Sequence, residues 1–198
     1  MSSTLFAEET EQEKMLAAQK LRLDGSDLQM IGMGLTQLMN DDYYIGAFYI
    51  DVAAEFIEPG DLAYIDAARR MEFRFASERK ISASGFSRKI AELIRINNAA
   101  ANVKSESQGL GRLLKMFKGS YQKGDIICID YLRGSAQVQV RYNGRLMGQI
   151  DGARDLYQLL VKTWVGDRPP SSRFKEGIAG KNENEYAVSL LRRYVNLK

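Results

Sequence analysis

The sequence predicts an α+β fold, an antiparallel sheet with helices packed on one face. Strand signals follow one another as neighbours and do not alternate with helices. Helix signals cluster between the strands and after them. Residues 125–150 spell an antiparallel three-strand meander, its last turn marked by Asn143-Gly144, the pair that fits a type I′ hairpin. The 198 residues suit one domain with a sizeable core.

Residues 8–20 read as a short polar helix with Met15, Leu16 and Ala17 on its apolar side. Leu21 to Leu23 is a strand, Asp24-Gly25 a tight turn, and Leu28 to Leu38 the returning strand. Asn40-Asp41-Asp42 makes the next turn. Tyr43 to Asp51 is aromatic and β-branched, with both faces apolar, so it is expected as a central strand covered on two sides. Pro59-Gly60-Asp61 breaks the chain. Met71, Phe73 and Phe75 alternate with Glu72, Arg74 and Ala76, a strand with one face in the core.

Ser84 is placed to cap a helix from about 85 to 98, where Phe86, Ile90, Leu93, Ile94 and Asn97 share a face. Ala99 to Ala101 either extends it or starts a loop. Leu110, Leu113, Leu114 and Phe117 mark another helix, ended by Gly119. After the meander, Asp151 is expected to cap a helix bearing Leu156, Leu159, Leu160 and Trp164, stopped by Gly166. Pro169-Pro170 turns the chain into a short helix, about 171–179, with Phe174 and Ile178 inward. Asn182 and Glu185 resemble a capping box for a last helix striped by Tyr186, Ala187, Leu190, Leu191 and Tyr194.

Composition narrows the function by exclusion. There is no histidine, which removes Ser–His–Asp and Cys–His catalysis and histidine metal sites. The one cysteine, Cys128, lies in an apolar run and reads as core. No cofactor and no metal are expected. The net charge of +3 is spread among interleaved charges of both signs, with no basic stripe for nucleic acid. No run approaches the roughly 18 apolar residues of a membrane span. Leu5-Phe6-Ala7 before Glu8-Glu9 looks like the end of a secretory signal, so two readings stay open: a cytoplasmic protein starting at Met1, or a periplasmic one whose signal has been removed.

Tyr142-Asn143-Gly144-Arg145, Gly148, Ile150-Asp151-Gly152, Trp164-Val165-Gly166-Asp167, Pro169-Pro170-Ser171 and Gly180 together resemble the C-terminal signature of bacterial chalcone isomerase-like proteins. Upstream, Gly32-x-Gly34-Leu35 and Tyr44 to Ile50 are similar to the paired strands of that family. The resemblance spans roughly residues 20 to 180. It implies an open-faced β-sandwich, a broad antiparallel sheet backed by helices, with a ligand cleft between them. It also implies a division into a polar segment 1–20, a chalcone isomerase-like domain 21–180, and a C-terminal helix in 181–198 packed on that domain.

Plant members of the family close a chalcone into a flavanone by intramolecular oxa-Michael addition, and related non-enzymatic members bind fatty acids. The family's arginine after Gly-x-Gly-aliphatic falls at Thr36, a hydroxyl residue falls at Tyr44, and the catalytic tyrosine falls at Phe86. Without that arginine and tyrosine, classical isomerase activity is not expected. The resemblance therefore implies a binding protein for a fatty acid or similar apolar small molecule, with Thr36, Tyr44 and Phe86 as ligand-binding residues and no catalytic residue. Two other readings stand beside it: an isomerase or lyase acting on an unsaturated carbonyl compound, with Tyr44 as acid and Thr36 as donor, or an envelope interaction protein using its last helix. Burial of Leu190, Leu191 and Tyr194 on the chain itself separates that last reading from self-docking. Arg74 alternates with Phe73 and Phe75 and is expected to face away from the cleft. Oligomeric state is not legible.

Overall fold

The computed structural model describes residues 10–197. Leu5 to Glu9, where a signal end was read, lie outside them. Thr10 caps α1 (Glu11–Ala18) through a reciprocal box with Glu13. Then come β1 (Lys20–Leu23), β2 (Ser26–Leu38), β3 (Asp41–Asp51), a 3₁₀ turn at Pro59–Ala63, and β4 (Arg69–Phe75). A short β5 (Ile81–Ser82) leads into α2 (Ala83–Asn97), α3 (Ala100–Ser105) and α4 (Ser107–Leu114). After β6 (Ser120–Tyr121) the meander β7 (Ile126–Leu132), β8 (Gln137–Tyr142) and β9 (Arg145–Ile150) follows, then α5 (Arg154–Val165), α6 (Ser172–Ile178) and α7 (Asn184–Asn196).

The main sheet has seven strands in the order β1-β2-β3-β4-β7-β8-β9, each pair antiparallel. It is a curled antiparallel sheet with helices packed against it, the α+β architecture expected. β3 is central, and its residues Tyr43 to Ile50 are all buried. One difference lies in how many faces are covered. α2, α4, α5 and α6 build the larger core on one face, but α7 and α1 cover the outer part of the other. β4 therefore has both faces enclosed, and its polar residues Arg69 and Glu72 are buried along with Met71, Phe73 and Phe75.

The capping expectations moved by a residue or two. Ser82, not Ser84, caps α2, because the strand β5 already fixes the chain up to it. Asp151 does not cap α5; Ala153 occupies that position, and the Asp151 carboxylate accepts from Gln137 across the hairpin instead. Asn182 does not cap α7 either, since its side-chain amide donates to the Met33 carbonyl at 2.9 Å. In α1, Leu16 and Ala17 face solvent while Met15 and Ala18 pack. The turn after β2 is centred on Met39-Asn40, both with positive φ (52° and 68°), so Asp41 already belongs to β3.

The glycines of β2 and β3 make a trough for α6 and Trp164. A Cβ on Gly34 would stand 2.5 Å from the Phe174 ring, and one on Gly46 would stand 2.9 Å from Phe174 and 3.0 Å from Trp164. Gly32 lies against the Gly177 carbonyl and Gly180 in the same way. Removing three side chains from the sheet lets a helix backbone approach it more closely than an ordinary sheet–helix layer allows. Trp164 then drops into the seam with no exposed surface.

Candidate functional site

Where α2 crosses the β2–β3 hairpin, a cleft of about 230 Å³ opens between the sheet, α2 and the Arg168-Pro169-Pro170 turn. Thr36, Tyr44 and Phe86, far apart in sequence, all line it. Thr36 and Tyr44 are direct partners in the β2–β3 register, and Phe86 stands in the first turn of α2 above them. Ile90, Leu93 and Ile96 continue the apolar wall at helical spacing. Lys89, Glu92, Gln37 and Arg168 supply polar groups.

The hydroxyls expected to face a ligand are already engaged. Thr36 Oγ1 accepts from the Tyr44 N–H at 3.3 Å and donates to the Tyr44 carbonyl at 3.2 Å. The Tyr44 hydroxyl accepts from Trp164 Nε1 at 3.2 Å. Its ring packs against Phe73 and Phe174 edge to face and stacks on Trp164. Burial pushes the Tyr44 phenol well above its usual range. Phe86 is closed in by Phe73, Phe75, Phe117 and Tyr121 with ring centroids 5.2 to 5.8 Å away, so it is floor and core at once. Trp164 is structural by its burial, yet it also holds Tyr44.

Sequence reasoning missed Tyr43. Strict alternation puts Tyr43 and Tyr44 on opposite faces. A β-bulge intervenes: Thr36 pairs with Tyr44 and Gln37 with Asp42, leaving Tyr43 as the extra residue. Both tyrosines therefore join the helix-side core, with rings 5.3 Å apart. Tyr43 is 7% exposed and lines the cleft. Burial alone pushes its phenol up to about 12, with no hydrogen-bond partner for the hydroxyl among the described residues. The basic residues Lys89 and Arg168 were also missed, since a solvated helix face and a turn each carry such charges routinely.

The opposite face holds a different assembly. Tyr49, one strand position out of phase with Tyr44 and Phe48, shares a hydroxyl contact of 3.1 Å with Tyr194 of α7 and donates to the Ala18 carbonyl. The Tyr194 hydroxyl donates to Glu72. Arg70 grips the buried Asp130 with two hydrogen bonds, at 2.6 and 2.9 Å. Arg74 faces away from the cleft, as expected, and donates to the Tyr194 carbonyl at 2.7 Å. Leu190, Leu191 and Tyr194 are buried by the chain itself. Cys128 is buried on this face beside Glu72, and burial pushes its thiol well up.

A family model described as chalcone isomerase-like matches residues 9–180. Among solved structures, the chain is similar to the Arabidopsis thaliana fatty-acid binding protein AtFAP1, with a TM-score of 0.59 over 89% of this chain and 98% of that one, at 11% identity. No curated protein matches the sequence. No helix among the described residues is long and apolar enough to cross a membrane.

Proposed function

The chain belongs to the chalcone isomerase-like family, and from that premise we propose that it is a non-catalytic member holding a fatty acid or similar apolar small molecule in the cleft above Phe86. The carrying observation is the cleft itself, in which residues 36, 44 and 86 meet between sheet and helix. A wall of Ile90, Leu93, Ile96 and two prolines with a few polar groups is the usual make-up of a small-molecule site. The fatty-acid binding protein of the same fold supports the ligand class.

The chemistry of the cleft favours binding over catalysis. Phe86 has no hydroxyl, Thr36 is tied to the main chain, and Tyr44 is tied to Trp164 with its phenol held neutral by burial. A general acid needs a pKa near the working pH and reach to the substrate, and Tyr44 lacks the first. The volume of about 230 Å³ lies below the roughly 300–1,000 Å³ of drug-sized sites, which favours a single slender chain over a fused-ring ligand. Native mass spectrometry of protein purified without denaturation tests this reading. A discrete adduct in the mass range of a single-chain lipid, lost on delipidation, is the expected result; bare protein that also refuses added decanoate would overturn it.

A further inference from the structure

The cleft does not end at Tyr43. A second compartment of about 310 Å³ adjoins it, and Leu38, Tyr43 and Lys89 line both. The two spaces differ in character. The compartment reaches the first turn of α2 at Ser82 and Gly85, the positive end of a 15-residue helix, and takes in Lys80 and Lys89. Asp41 and Asp42 also line it, but Asp41 pairs with Arg79 at 3.4 Å and Asp42 pairs with Arg193. Lys80 and Lys89 enter no ion pair among the described residues. In the cleft itself the charges are mixed, because Glu92, one turn along α2 from Lys89, lines it with Arg168.

A separate observation points into the same place. Tyr43 is more than nine-tenths buried, and its hydroxyl has no partner among the described residues. That hydroxyl is the solvent-reached edge of the side chain, free at the junction to donate to a ligand oxygen. The bulge in β3 brings Tyr43 to this junction and not to the opposite face.

We propose that this compartment is a head-group site, in which a carboxylate lies against Lys80, Lys89 and the Tyr43 hydroxyl while its chain occupies the cleft. The ligand class is then a single-chain anionic amphiphile and not a neutral lipid. The proposal rests on the binding function above, and it places the anion away from Thr36, where the resemblance would have put it.

Calorimetric affinities for decanoate and decanol, equal chains with a charged and a neutral head, test it in the wild type and in Lys80→Met, Lys89→Met and Tyr43→Phe. Wild type is expected to favour decanoate about tenfold, the scale of one charge-assisted contact. Lys80→Met and Lys89→Met, both at exposed positions, should each remove most of that preference by weakening decanoate alone. Tyr43→Phe keeps the ring and should weaken decanoate more than decanol. Equal affinity of wild type for both probes, or a preference that survives both lysine variants, overturns the head-group site while leaving the binding function standing. A preference that follows Arg168→Met instead puts the head at the other end and overturns it equally. Failure of wild type to bind either probe defeats the binding function and this proposal with it.

Discussion

Tyr44, where the resemblance puts a hydroxyl residue of the isomerases, is part of the scaffold. Its hydroxyl accepts from Trp164, its main chain holds Thr36, and its ring is enclosed by aromatics. No conversion of chalcone to flavanone above background is therefore expected in a steady-state assay; saturable turnover would contradict this. Loss of one such donor lowers rates by ~10²–10³-fold, and the resemblance puts the isomerases' arginine at Thr36 and their tyrosine at Phe86, neither of which supplies that group. Trp164→Ala should cost about 3–5 kcal/mol in urea unfolding, since it empties a fully buried site and frees the Tyr44 hydroxyl. Phe86 is a poor place to fill the cleft, because four rings already surround it; Ile96, 45% exposed on the cleft wall, is the better one. At this scale the sequence placed Thr36, Tyr44 and Phe86 together but hid Tyr43, because a bulge changes side-chain parity without leaving a mark in composition.

The trough for α6 explains why Gly32-x-Gly34 and Gly46 stand in otherwise apolar strands. Gly34→Ala should push Phe174 out of place and lower stability by about 1–3 kcal/mol, the usual cost of overpacking, measured as a lower urea midpoint at unchanged slope. A wild-type midpoint would show that α6 can back away freely. The meander, α5 and α6 were legible because Asn143-Gly144, Gly166 and Pro169-Pro170 act locally. The caps at Asp151 and Asn182 were not, because each side chain found a partner on a distant element, Gln137 and Met33. The packing of the last helix on the domain was expected, but its polar contacts with β4 were not: Glu72 and Arg74 read as a solvated face until Tyr194 supplies partners for both.

Across the whole molecule, buried tyrosines occupy both faces of the sheet. Burial raises Tyr43 to about 12, pushes Tyr44, Tyr49 and Tyr157 higher still, and pushes Tyr194 well above the usual value near 10. In the unfolded chain these phenols ionise near 10 while the folded protein keeps them protonated, so stability is complete below that pH and falls as the pH rises beyond it. Urea midpoints should decline steeply above pH 10, with phenolate absorbance appearing together with unfolding; early ionisation of all tyrosines in folded protein would contradict this. The same packing leaves the cleft as the void where β2, β3 and α2 meet, the space proposed to hold an apolar chain. Calorimetric titration of decanoate into wild type and Ile96→Trp tests it most directly. Saturable one-site binding with a negative heat-capacity change in wild type, weakened at least about tenfold by the tryptophan, is the predicted result. No saturable binding, or equal binding by the plugged variant, would contradict it.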